Sequence, residues 1–418
     1  MKANYYDPLF YISSDKMPFT IRIETVVSDS IEPDALEYAV QLGIKRYPYF
    51  AVRIVEENGE YLTVPNSEPV AVYEGPAVYP LGSEQVNRHI LAVSYYNNEI
   101  YFDISHVITD GNGFYPFIKT VLYYYCCRRY GLDLDPAGIN MADDPLFSDE
   151  ITNPYPEESM KIAEPLYEKK IGRYFRLCDG PYVKDEKATV YRCRVPQYEM
   201  MRFNYDNDGS PCILVSVLMA KAIWSLHPEV KDDLVSAISF NLRPGLGNKH
   251  NYRMLCSAIH LDYHDFMRDY EISKLCTCSR GMVTLQSQPE NVLYYAKQRK
   301  ERFEAIKKIP GLNAKKELMG NKALVDSISN TFSVSYVGRP NFGSLEPYVR
   351  EMYPITDGSV YKTLFLEISS VDGWFDIAFL QGFSSDSYYR AFLSQLTSNG
   401  LCYEEGKTTP LLAPKMML

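Results

Sequence analysis

From Phe19 to Val27 the chain alternates apolar and polar residues with period two, the pattern of a strand with one buried face. A helix is predicted from Asp34 to Tyr47, and Pro48 then leads into a strand-like run from Phe50 to Val55. His89–Tyr96 and Glu99–Ile104 face each other across Asn97-Asn98, which predicts a hairpin. Within its second arm, Ile100, Phe102 and Ile104 alternate with Tyr101, Asp103 and Ser105. A few residues later Phe117, Val121, Leu122 and Tyr125 recur at helical spacing, and Arg128 and Arg129 suit a helix C-terminus. The stretch from Asn140 to Pro165 is rich in Pro, Asp and Glu with weak periodicity, as expected before a crossover to a second half. Ala188–Val195 then reads as a strand, Pro211–Leu226 as a largely apolar helix, and the run around Asp372-Gly373-Trp374 as strand, turn and strand. Strands and helices are mixed along the whole chain, which predicts an α/β (α+β) fold.

The junction between the Ile100–Ser105 strand and the following helix carries His106-x-x-x-Asp110-Gly111, an HxxxD motif followed by glycine. A turn between a strand and a helix holds a side chain at the rim of a sheet on a rigid base. Imidazole titrates near neutral pH, so His106 suits a general base that takes a proton from a hydroxyl or amine and returns it. Asp110 suits a geometric role, pairing with a cation. Gly111 and Gly113 permit backbone angles that other residues resist, and Asp110 or Asn112 is placed to cap the helix. An ordinary strand-end histidine followed by a plain turn would look the same at this length, so the rest of the chain has to decide.

Four stretches in order make the chain resemble the chloramphenicol acetyltransferase-like superfamily, which includes peptide-synthetase condensation domains, polyketide-associated acyltransferases and alcohol acetyltransferases. They are Asp34–Tyr47 with Pro48-Tyr49-Phe50; His106, Asp110 and Gly111 at a strand end before a long helix; Ser236–Pro244, ending Asn-Leu-Arg-Pro; and Thr331–Gly343, running through Val-Gly-Arg-Pro. The resemblance implies two similar halves, residues 1–175 with the HxxxD motif and residues 176–418. Each would be a mixed sheet flanked by helices, with a tunnel between the halves. It implies His106 as the catalytic base and Asp110 as a structural residue held by an arginine, with Arg243 the first candidate and Arg339 the second. Ser335 and Tyr336 are the oxyanion candidates.

The implied activity is transfer of an acyl group from a thioester to an alcohol or amine. The co-substrate would be acyl-CoA or a phosphopantetheine thioester, with no tightly bound cofactor. The partners would be a small acyl donor and acceptor, with an acyl or peptidyl carrier protein as the other source of the donor. Residue 105 is Ser where condensation domains usually carry a second His, which favours O- or N-acylation over peptide-bond synthesis. The plant acyltransferase motif Asp-Phe-Gly-Trp-Gly is absent. Two other classes stay open: a non-catalytic member that binds a carrier or ligand, and condensation or epimerisation on a carrier-bound chain.

Composition narrows this further. The formal net charge is -10, which disfavours nucleic acid as a partner. No apolar run is long enough to span a bilayer and no cationic, apolar leader opens the chain, so the expected location is cytoplasmic. Nine cysteines at irregular spacing indicate neither a disulfide framework nor a zinc site. The strand-like Leu261-Asp262-Tyr263 between His260 and His264 argues against a helical metal pair, and no metal is expected. Among the 36 tyrosines are pairs and a triplet, rigid apolar bodies with polar tips suited to lining a tunnel. In Asn291–Ile309, Val292, Ala296, Phe303 and Ile306 share one face while Lys297, Arg299, Lys300 and Arg302 crowd the rest. That basic face is either a solvated surface or an attractor for the phosphates of a donor.

Overall fold

Strands in the first part of the chain build most of one sheet and a separate two-stranded ribbon, and those of the second part build the whole of another. In the computed structural model, residues 8–13, 18–162, 164–170, 172–177, 188–319, 330–356, 364–382, 385–412 and 414–417 are described. The first part contains β1 (Thr20–Val27), α1 (Pro33–Arg46), β2 (Val52–Glu57), β3 (Glu60–Pro65), β4 (Val72–Glu74), β5 (Leu91–Tyr96), β6 (Glu99–Ser105) and α2 (Gly111–Tyr130). The second begins with β7 (Thr189–Pro196), α3 (Gln197–Asp206), α4 (Pro211–Leu226), β8 (Leu234–Asn241), a short α5 (Arg243–Leu246) and β9 (Cys256–Tyr263). Helices α6 (Ile272–Gln286), α7 (Pro289–Lys307) and α8 (Leu312–Met319) follow, then β10 (Phe332–Tyr336), β11 (Val349–Thr356), β12 (Leu364–Val371) and β13 (Trp374–Gln381). The chain closes with α9 (Ser387–Ser398), β14 (Glu404–Glu405) and β15 (Thr409–Pro410).

The predicted elements and the observed ones coincide closely. The hairpin turns at Asn97, whose φ of 53° is the left-handed geometry that a tight turn asks for, and Tyr96 pairs with Glu99 across it. Helix α4 covers Pro211–Leu226, and β12 and β13 meet at Asp372-Gly373. Phe50 differs from expectation. It closes a single 3-10 turn, Pro48–Phe50, and β2 begins after it.

The first sheet runs β11-β1-β6-β5-β4 and the second β14-β7-β13-β12-β10-β8-β9, with β15 also on β7. Both are mixed. β4 is parallel to β5 and β10 is parallel to β8 and β12, while the remaining pairs are antiparallel. Strand β11 lies well beyond residue 175, yet it hydrogen bonds to β1 in the first sheet, Ile21 opposite Thr356 and Glu24 opposite Tyr353. The two halves therefore interlock by an exchanged strand instead of meeting at a plain boundary.

Two cores follow from the two sheets. In the first, α1 and α2 pack on β1, β5 and β6. Helix α1 approaches α2 so closely that a Cβ on Gly43 would lie 2.6 Å from Val121 Cγ2. The second surrounds α4, whose Ile213–Ala220 stretch is buried throughout between the sheet and α9. Buried ion pairs tie the parts together. Arg192 on β7 donates to Glu24 on β1 at 2.7 Å, and Arg46 forks onto Glu150 at 2.9 and 3.1 Å. Through Glu150, the weakly periodic segment before the second half is pinned against α1. Among the described residues no single helix is long and apolar enough to cross a membrane.

Candidate active site

His106 follows β6 directly. Its N–H donates to the Phe19 carbonyl at 2.8 Å, continuing the β1–β6 ladder by one bond, and its ring stacks on Phe19 with centroids 5.4 Å apart. Phe19 holds a φ of 58°, a strained value for an aromatic residue, which persists only where its surroundings enforce it. The His106 Nδ1 lies 2.7 Å from the Thr109 carbonyl. A carbonyl only accepts, so Nδ1 carries the proton and Nε2 is left as the basic nitrogen. Thr109 is itself held, its hydroxyl donating to the Tyr252 carbonyl at 2.6 Å. Burial pushes the His106 pKa below its ordinary value, outweighing the Thr109 carbonyl and the nearby Asp110 charge, and the Arg299 cation pushes the same way. The imidazole is thus neutral at neutral pH, the form a general base needs.

Asp110 is the N-cap of α2, and its Oδ1 accepts from the Gly113 N–H at 3.0 Å. Asn112 lies inside the helix and does not cap it. The Asp110 carboxylate also takes Arg243 in a fork, Nη1 to Oδ2 at 3.0 Å and Nη2 to Oδ1 at 2.8 Å, and the Leu255 N–H at 2.8 Å. Arg243 is held from behind by the carbonyls of Asn251 (2.7 Å) and Arg253 (2.6 Å). Asp110 lies in the first half of the chain, and Arg243 and Leu255 in the second, so this cluster joins the halves behind His106. Arg339, the other candidate partner, pairs instead with the exposed Glu346 at 2.5 Å.

The glycines differ from expectation. Neither Gly111 nor Gly113 has a positive φ, because both are already in α2. They are needed for space. A Cβ on Gly111 would sit 2.5 Å from Val337 Cγ2, and one on Gly113 would sit 2.1 Å from the Tyr252 carbonyl oxygen. The absent side chains let the start of α2 press against the second half.

In front of His106 lies a cavity of about 300 Å³ bounded by both halves. Its walls are mostly apolar, with Phe19, Ile21, Ile23, Val337, Pro354 and Phe365 among them. Ser335 and Tyr336 on β10 line it together with His106, as does Cys256, whose thiol burial pushes up to about 11, too high for a ready nucleophile. Glu367, Tyr115 and Thr356 are polar lining residues that the sequence did not single out. Glu367 points from β12 into the cavity, where burial raises its pKa to about 7 against the pull of hydrogen bonds from Ser335 and Thr356. Its signal was present as a lone carboxylate in Leu-Phe-Leu-Glu-Ile. Tyr115, one turn into α2 from Gly111, brings a buried hydroxyl that has no hydrogen-bond partner among the described residues. Nothing in the tyrosine pattern set it apart. On α7, the basic face is partly engaged, since Lys297 donates to the Ile162 carbonyl and Arg299 to those of Met254 and Cys256.

Two interlocked mixed sheets flanked by helices give the chain the two-lobed fold seen in condensation domains and acyltransferases. Among solved structures it is similar to Fusarium graminearum TRI101 complexed with coenzyme A and T-2 mycotoxin, with 12% identity, a TM-score of 0.58, and 96% of this chain and 99% of that one covered. It is similar as well to a mutant starter condensation domain of rhizomide synthetase RzmA in complex with C8-CoA (13%, 0.56, 94% and 90%). A third is the epimerization domain from the third module of tyrocidine synthetase B (11%, 0.57, 94% and 96%). No family model and no curated protein matches the sequence. At such identities the likeness shows the fold and leaves the reaction to the residues.

Proposed function

We propose that the protein is an acyltransferase that moves an acyl group from a thioester to an alcohol or amine, with His106 Nε2 as the general base. The observation that carries this is the His106 imidazole itself: neutral, with Nδ1 committed to the Thr109 carbonyl, and lining a largely apolar cavity. Nε2 takes the proton of the acceptor O–H or N–H as that atom attacks the thioester carbonyl carbon. The tetrahedral intermediate then collapses, the C–S bond breaks, and the imidazolium returns the proton to the departing thiolate. Direct transfer needs no acyl-enzyme. Asp110 and Arg243 position the loop, and Tyr336 lines the cavity as the candidate to meet the developing oxyanion, the Ser335 hydroxyl being engaged by Glu367.

Coenzyme A in the TRI101 complex and C8-CoA in the RzmA complex support an acyl-CoA donor, with a carrier-bound phosphopantetheine thioester as the other source of the same chemistry. The test is thiol release from acetyl-CoA and longer acyl-CoAs against a panel of alcohols and amines. Release that needs both substrates and is lost in His106→Ala is expected. Binding of acyl-CoA with no release for any pair would favour a non-catalytic member of the fold.

A further inference from the structure

Glu367 is unlike the other polar groups of the cavity. On β12 the residues Leu364, Leu366 and Ile368 enter the core around α4, so the alternation sends Glu367 to the opposite face, toward the cavity. Its register partner on β10 is Ser335, and Thr356 at the end of β11 donates to its Oε1 at 3.1 Å. The side chain is only 3% exposed, yet among the described residues no lysine, arginine or histidine pairs with it. The other carboxylate at the cavity, Asp110, is saturated by Arg243 and two backbone N–H groups. Close by is the hydroxyl of Tyr115, without a hydrogen-bond partner among the described residues and near enough to feel the Glu367 charge.

A buried carboxylate without a cation is costly and is retained where a ligand completes it. Burial favours the neutral acid of Glu367, and its two neighbours, Ser335 and Thr356, are placed as donors that pull back toward the ionised carboxylate. The group missing from this arrangement is a positive one, and the apolar walls around it fit a carbon chain.

We propose that Glu367 selects an acceptor bearing a protonated amine in addition to the hydroxyl or amine that is acylated, with Thr356 and Ser335 holding its carboxylate and Tyr115 available to the same ligand. This rests on the acyl-transfer reading for the reaction but not for the binding. A site that pairs a substrate cation rejects the analogue lacking it, because the buried partner is then left unmatched.

The test uses α,ω-amino alcohols of two to eight carbons, each beside the diol of equal length. Binding to the full-length protein is read by calorimetry, and turnover by thiol release with an acyl-CoA. The wild type is expected to prefer the best amino alcohol over its diol by about a hundredfold in Kd and KM. Glu367→Gln should abolish the preference for the amino alcohol over its diol, mainly through KM, and Glu367→Asp should restore part of it. Thermal unfolding of Glu367→Gln checks that the variant is folded. Equal affinity for amino alcohols and diols at every length, no binding of any amino alcohol, or a preference that survives Glu367→Gln would each overturn the proposal. Amine-selective binding without thiol release would uphold it and defeat the acyltransferase reading, whereas release without amine preference would do the reverse.

Discussion

The His106 wall of the cavity and the wall built by β10, β11 and β12 treat their polar side chains in opposite ways. On the first, His106, Thr109, Asp110 and Arg243 are matched by backbone and side-chain partners, leaving the imidazole Nε2 as the working atom. On the second, Glu367 has two neutral donors and, among the described residues, no counter-ion, and the nearby Tyr115 hydroxyl has no hydrogen-bond partner among them either. Saturated groups fix a geometry, whereas unsaturated ones wait for a ligand. The cavity thus combines a positioned base with an incomplete binding wall.

Removing the base should have the strongest consequence. His106→Ala should lower thiol release by about 10²- to 10⁴-fold, the usual contribution of a general base, while the unfolding midpoint changes little. Full activity in that variant would remove His106 from the chemistry. Next comes its support. Asp110→Ala and Arg243→Met should each destabilise the protein by about 3–5 kcal/mol, since each leaves a buried charge unmatched. The double variant should lose far less than the sum, as measured by denaturant unfolding. Additive losses would show that the pair does not act as a unit.

The glycines give a smaller effect. Gly113→Ala should cost about 1–3 kcal/mol, because its Cβ would meet a backbone oxygen that cannot move aside. Gly281→Ala in α6, with nothing within 4 Å, should instead be neutral or gain up to about 1 kcal/mol. Equal effects on the unfolding midpoint would mean that the start of α2 is not tightly pressed against the second half.

Much of the first wall was legible in the sequence because its information is local. Period-two alternation into His106 and helical spacing after Gly113 placed the motif at a strand end. Arg243 was within reach only through the resemblance, which implies an arginine partner for Asp110 and includes the strand-closing Asn-Leu-Arg-Pro. The exchange of β11 into the first sheet was not legible, since Val349–Thr356 carries the alternation of any strand and nothing local names its neighbour. The space-filling role of Gly111 and Gly113 was hidden for the same reason, as it depends on Val337 and Tyr252, far away in the chain. Glu367 was visible as an odd residue in an apolar strand, but only the fold shows which face it occupies.

The smallest expected effect probes the second wall through Thr356. Glu367 has a folded pKa of about 7 against an ordinary 4.5, so folding favours its protonated form. Its contribution to stability is therefore fully present below about 4.5 and is lost as pH rises through about 7. Thr356 donates to the carboxylate and so favours the charged form. Thr356→Val should push the pKa of Glu367 higher still. The variant should match the wild type in unfolding midpoint at low pH and lose about 1 kcal/mol relative to it above pH 7. In a Glu367→Gln background that pH dependence should vanish, because no carboxylate remains for the hydroxyl to serve. A Thr356→Val cost that is the same at every pH, or a pH dependence that persists unchanged in the Glu367→Gln background, would mean that Thr356 acts by packing alone and that Glu367 is not held as an ionised acceptor.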